Sequence, residues 1–206
     1  MKNKLLAIFL IFPALAPVVS MAATSEIVEV NKVITPTSAL TNAVELLISV
    51  AGNKALSDEE KKIKITEIVK EKVDLPVASQ RVVSRHWKKA STDEKKEFIS
   101  LFTQVIVNTY ASVLNKYTNE KVEYLKEDIR KGKYARVTTN IITIDKKIPV
   151  NYKLLLRNDQ WRIYDFSAEG VSLISTYTND FKSTLKRGGL AGLNEVLRNK
   201  VADKAS

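Results

Sequence analysis

The sequence predicts an α+β domain in which helices pack on a curved four-stranded antiparallel sheet, and three observations carry that expectation. The first is a long stripe of Phe98, Leu101, Phe102, Val105, Ile106, Thr109, Tyr110, Val113, Leu114 and Tyr117 at helical spacing. The second is a change to alternating periodicity over residues 122–166, interrupted by the turn signals Lys131-Gly132, Asp145-Lys146 and Asn158-Asp159. The third is the stretch Trp161 to Leu185, where a strand passes through Gly170 straight into an amphipathic helix. A helix attached so closely to a strand must fold back over the sheet.

Taken in order, residues 1–22 read as an export signal. Lys2 and Lys4 form a basic start, Leu5 to Leu15 an apolar core, and Ser20-Met21-Ala22 a small-x-small cleavage site. Pro13 and Pro17 interrupt a run already short of the ~20 apolar residues that a spanning helix needs. Residues 23–206 are then expected to form one exported domain.

Helix starts follow at Pro36 with Thr37 or Ser38, at Ser57-Asp58-Glu59-Glu60, near Pro76, and at Ser91 or Thr92. Leu40, Val44, Leu47 and Ile48 share one side of the first helix, and Gly52 ends it. Ile63, Ile65, Ile68, Val69 and Val73 carry the second, with acids in its first turn, where the helix dipole favours them. Val82, Val83, His86 and Trp87 share a face of the third.

Four strands are expected at Val122–Ile129, Tyr134–Ile144, Lys147–Leu156 and Gln160–Phe166, joined as a meander by their short loops. Val137 and Ile141 share one face of the second strand, and Ile148, Val150, Tyr152, Leu154 and Leu156 one face of the third. In the fourth, Tyr164 and Phe166 alternate with Trp161 and Ile163, and either pair can point inward. From Val171 the period becomes helical, with Ile174, Tyr177, Thr178, Phe181 and Leu185 on Val171's side. Gly188-Gly189 ends that helix, and Leu190 to Val201 forms a last one.

Composition narrows the function classes. The formal net charge is +10, and removal of Lys2 and Lys4 with the leader lowers it to +8. The absence of cysteine removes disulfides, thiol nucleophiles, thiolate metal sites and lipoprotein acylation. A single histidine argues against a zinc or triad enzyme, so no metal ligands are assigned.

One ordered set of residues resembles a known family. Trp161-x-x-Tyr164-Asp165, Glu169-Gly170-Val171-Ser172-Leu173-Ile174, Tyr177 and Phe181 are similar to the MlaC family of periplasmic phospholipid-binding proteins, also called toluene-tolerance proteins. Trp87-Lys88-Lys89-Ala90-Ser91, Glu94, Phe98, Phe102, Tyr110, Leu114, Tyr117 and Ile148-Pro149-Val150-Asn151-Tyr152 continue the resemblance in order, from about Leu40 to Leu197. The family usually carries an arginine after the tyrosine of the closing helix, where this chain has Thr178, so a phosphate contact from that position is not expected.

The resemblance implies an apolar pocket, enclosed by sheet and helices, that takes the acyl chains of a glycerophospholipid and leaves the headgroup outside. It implies no cofactor, no catalytic residue and a monomer in the periplasm. It further implies shuttling between an outer-membrane MlaA-type lipoprotein with its porin and an inner-membrane MlaFEDB-type ABC transporter complex, in support of outer-membrane lipid asymmetry. On that basis the expected lipid contacts are Trp87, Phe102, Ile106, Tyr110, Val137, Ile141, Ile148, Val150, Tyr152, Leu154, Tyr164, Phe166, Val171, Ile174 and Phe181. The plainer reading of the same residues is ordinary core packing.

Among the many basic residues, Arg136, Lys147 and Lys153 are the candidates for headgroup or partner contact, because they lie on strands near the expected pocket mouth. A solvated surface is the plainer reading for any one lysine. Nucleic acid is not an expected partner, since an exported chain without a reader motif has no occasion to bind it. Asp165 keeps an exported small-molecule-binding or isomerase-like enzyme in view, because an acid among Trp161, Tyr164 and Phe166 could be desolvated into a general base. The competing role is a structural carboxylate that pairs with a basic group or caps the following turn. A purely structural envelope adaptor is the third class.

Overall fold

The computed structural model describes residues 34–114 and 121–203. The export signal expected over residues 1–22 and Tyr117 lie outside the described residues, as do the side chains of Val113 and Leu114.

Each helix start has a side-chain reason. Thr35 caps α1 (Pro36–Ala51) by accepting from Ser38 N at 3.1 Å, and Pro36 occupies the first turn, where a missing N–H costs nothing. α2 (Asp58–Lys72) opens on a reciprocal box: Ser57 N donates to Glu60 Oε2 at 2.8 Å, and Glu60 N donates to Ser57 Oγ at 3.3 Å. Asp74 caps α3 (Leu75–Val83) through Val77 N at 3.1 Å. Ser91 and Glu94 repeat the box at the start of α4 (Thr92–Leu114).

The third helix is shorter than its apolar pattern suggested. Ser84 adopts φ 49°, a left-handed conformation that ends α3, and Ser84–Lys89 continues as a 3₁₀ turn. His86 and Trp87 therefore lie on that turn and not on α3, and of the two Trp87 still packs against the cluster of Val82 and Val83.

The sheet is an antiparallel meander in the order β1 (Lys121–Arg130), β2 (Tyr134–Ile142), β3 (Lys147–Arg157), β4 (Gln160–Ala168) and β5 (Val171–Ser172). Its turns use left-handed residues where the flanking twist demands them: Lys131-Gly132, Asn158-Asp159 and Glu169-Gly170 all have positive φ. The last pair adds a fifth strand to the four expected. Val171 pairs with Ala168 as strand, not helix, because Ser172 is extended and caps α5 (Leu173–Ala202) by accepting from Ser175 N. Within α5, Gly189 at φ 61° and ψ −154° is non-helical and divides the span into two helical segments, at the place where the sequence predicted one helix to end and a last one to begin.

Register shifts at Tyr124/Lys126 and at Lys153/Leu154 mark irregularities of the kind that bend strands. Two buried clusters result. One joins α3, α4 and α5 through Val82, Phe98, Phe102, Tyr177 and Phe181; the other joins α1 to the sheet through Leu40, Ala135, Val137 and Leu154.

Candidate functional site

Strand alternation and register give the sheet an apolar inner face. Ile141 lies opposite Ile148, Val137 opposite Tyr152, and Ala135 opposite Leu154, while Tyr152 faces Phe166 on the next strand. Leu40 of α1 closes one half of this face, where Ala135, Val137 and Leu154 are buried. The other half differs: Val122, Tyr124, Ile141, Ile148, Tyr152 and Phe166 are only half-buried. Ile141 and Ile148 belong to neither buried cluster.

Aromatic rings connect this open half to the long helix. Tyr110 of α4 meets Phe166 edge-on with centroids 5.6 Å apart, and Phe166 lies 6.3 Å from Tyr152. Phe166 packs with the helical cluster and Tyr152 with the α1 cluster, so these two rings mark the seam between them. Burial pushes the Tyr152 phenol up to about 12, with the nearby Tyr124 adding to the rise and a hydrogen bond with Thr139 opposing it. Tyr110 and Tyr177 are likewise raised, chiefly by burial. The phenols are protonated at neutral pH, so the Tyr110 and Tyr152 rings add no charge to this part of the face.

The expected lipid contacts divide by position. Tyr110, Ile141, Ile148, Tyr152 and Phe166 come together on the open half, with Ile106 and Ile174 partly buried beside the helical cluster. Phe102 and Phe181 are core: Phe102 stacks on Phe98 at 5.4 Å, and Phe181 meets both rings edge-on. Val137, Val150 and Leu154 are buried on the inner face. Trp87 sits on the 3₁₀ turn against the helical cluster, with Lys95 Nζ 5.7 Å from its ring centroid. Tyr164 is the extra residue at the β3/β4 shift and lies under the Arg81 guanidinium at 4.5 Å. Val171 is 66% exposed on β5. Val122 and Tyr124 were not singled out from the sequence, although they share the inner face; the bulge at Leu125 breaks the alternation that would have pointed to them.

The three basic candidates lie elsewhere. Arg136 pairs in register with Lys153, one residue out of phase with Val137 and Leu154, so both belong to the outer face. Lys147 alternates with Ile148 and reaches Glu123 at 3.7 Å. Lys153 is held by Asp165, Nζ to Oδ2, at 2.9 Å.

Asp165 does both of the structural jobs expected of it. Only 3% exposed, it accepts from Lys153, from Ser172 Oγ at 2.9 Å and from Ile174 N at 3.2 Å, fastening β4 to the start of α5. Three donors from two strands and a helix start thus hold the carboxylate in place. Thr178, which follows Tyr177 in the closing helix, donates to the Val82 carbonyl at 3.1 Å and satisfies the end of α3.

His86 lines a different space, a cavity of about 160 Å³ bounded by Lys89, Ala90, Glu94 and residues 188–191 at the α5 kink. Among the described residues no group of three or more His, Cys, Asp or Glu is placed to hold a metal, and no helix is long and apolar enough to cross a membrane.

Comparisons with known proteins find a family model, curated relatives and solved structures that match. The family model described as MlaC protein matches residues 41–199. The intermembrane phospholipid transport system binding protein MlaC of Haemophilus influenzae is 23% identical over 123 residues, which span 57% of this chain and 58% of that protein. The chain thus matches little more than half the length of that relative. A solved structure of a phospholipid-binding protein from Ralstonia solanacearum, in complex with a phospholipid, superposes with a TM-score of 0.73 at 22% identity, covering 82% of this chain and 98% of the other. At that identity the likeness is one of fold.

Proposed function

The chain belongs to the MlaC family, and from that premise we propose that it is a non-enzymatic phospholipid carrier of the periplasm, exported by the leader at residues 1–22. Its acyl chains would lie along the inner face of the sheet, between α1 and the end of α4, with the headgroup in water. In this reading it passes glycerophospholipid between an outer-membrane lipoprotein with its porin and an inner-membrane ABC transporter complex, and so helps keep the outer membrane asymmetric.

The observation that carries the proposal is the half-buried apolar pair Ile141 and Ile148, which belongs to neither core cluster and continues the inner face beyond the Tyr152 and Phe166 rings at the seam between them. Burying a lipid tail is worth about 0.8 kcal/mol per methylene, so two chains of roughly 16 carbons need about 25 kcal/mol of shielding to cross water. A surface about as apolar as a bilayer interior supplies that shielding without trapping the cargo. The names of the Haemophilus and Ralstonia proteins support the same ligand class.

A vesicle assay tests the proposal. Delipidated protein is incubated with glycerophospholipid vesicles, separated from them and extracted. Recovery of about one lipid per chain, and delivery of that lipid to acceptor vesicles, is the expected result. A folded chain that takes up none would leave the adaptor as the better reading.

A further inference from the structure

We propose that the outer face of the sheet is a docking surface for an acidic protein, a role distinct from lipid contact. Lys121, Lys126, Arg130, Arg136, Lys153 and Arg162 all project from this face, since each pairs in register with outward residues and not with Val137 or Leu154. The helices pack on the inner side, where Leu40 meets Ala135, Val137 and Leu154. On the outer face of β1 to β3, Lys126 and Arg136 are exposed, and Thr138 and Asn151 bind each other between them and the next strand at 2.9 Å.

Charge bookkeeping on this face leaves a clear surplus. Its acids are already matched: Glu123 by Lys147 at 3.7 Å, Asp128 by Arg130 at 3.1 Å and Asp165 by Lys153 at 2.9 Å. Lys121, Lys126 and Arg136 pair with no acid among the described residues. Arg136 stands diagonally across from Lys126, a spacing of roughly 7–8 Å that suits two carboxylates on one partner. Leaving like charges side by side costs stability, so the surplus fits a surface completed by an opposite field.

A protein fits better than a membrane. A face that enters lipid needs protruding apolar side chains, and the most exposed ones, Ile144 at 97% and Val171, lie on the β2–β3 turn and on the short strand β5. The outer face mixes half-buried Tyr134, Ile142 and Leu155 and exposed Pro149 with threonine, asparagine and exposed basic side chains, and none of its large apolar residues is among the exposed ones. The placement also assigns Arg136 to partner contact and not to the headgroup of a lipid lying on the opposite face.

The inference rests on the carrier reading only in that a carrier must dock to exchange cargo, and lipid occupancy measured on the same variants keeps the two apart. A photo-crosslinking amino acid is placed at Lys126, with Ser183 on exposed α5 as control, and adducts formed in the cell envelope are mapped by mass spectrometry. The expected adduct forms at Lys126 and not at Ser183 and maps to a segment of the partner rich in Asp and Glu. It falls about tenfold or more with Lys121→Glu and Arg136→Glu together, at unchanged lipid occupancy, and returns when the mapped acids are changed to lysine. An adduct that survives the double reversal, or none at Lys126, overturns the proposal. So does binding to phosphatidylglycerol vesicles that is lost in the same variant without any protein adduct, which would assign the face to a membrane.

Discussion

The Tyr110 ring meets Phe166 edge-on at 5.6 Å, and this contact joins the long helix α4 to strand β4 where the two buried clusters come together. Phe166 also touches Tyr152, so three rings from three elements share one surface. Rings are well suited to such a seam, because they present large apolar area with little rotamer freedom to lose.

The open half of the inner face and the closed core should respond differently to substitution. Ile141→Lys or Ile148→Lys, at half-buried positions outside both clusters, is expected to abolish lipid uptake while lowering the melting temperature by only a few degrees. Phe98→Ala, fully buried and stacked on Phe102, is expected to cost about 3–5 kcal/mol whether or not lipid is present. Uptake and denaturation measured on both variants check the contrast. Equal loss of stability in all of them would make the strip ordinary core.

Asp165→Asn should act as a structural lesion. It keeps the shape but removes the charge that Lys153, Ser172 and the Ile174 amide converge on, and a loss of about 2 kcal/mol is expected, discounted because Lys153 is partly in solvent. Urea denaturation measures it. A variant of undiminished stability that lost a turnover activity would restore Asp165 as a catalytic base.

Glu127 faces inward from β1 and receives both the amide and the hydroxyl of Thr37, at 2.7 and 2.6 Å. This pair fixes the first turn of α1 over the sheet. Glu127→Ala should cost about 1–2 kcal/mol and speed amide exchange in α1 ahead of α4. Unaltered exchange in α1 would show that Leu40 alone holds the helix down.

Alkaline stability carries the signature of Tyr152. Its folded value lies near 12 against an ordinary 10, so the native state holds the proton more tightly. The associated stability is fully present below pH 10 and is lost as pH rises toward 12, by about 2–3 kcal/mol. Tyr152→Phe should flatten the denaturation midpoint across that window relative to the parent, and an unchanged slope would place the effect on other groups.

The sequence revealed the sheet almost strand for strand, because alternation and short turns are local signals: Lys131-Gly132 and Asn158-Asp159 do join successive strands, and the structure shows both pairs at positive φ. The helix starts at Ser57 and Ser91 were legible for the same reason, and the structure adds a capping box at each. What escaped was tertiary. Ser84 carries no residue-type sign that it will turn left-handed, and Val171 looks helical until Ser172 takes the cap from it. The expected lipid contacts mix open strip with sealed core, since Phe181 and Tyr152 are equally aromatic in sequence and differ only in what packs over them. Lys153 could not be placed either, because its partner Asp165 is brought to it by pairing between strands.

The central claim is that the chain carries phospholipid, and native mass spectrometry of protein purified from the periplasm, coupled to lipid extraction, tests it most directly. The account predicts a one-to-one adduct that extracts as glycerophospholipid and is absent from Ile148→Lys protein that remains folded. A ligand-free chain that stays folded and cannot be loaded from vesicles would contradict it.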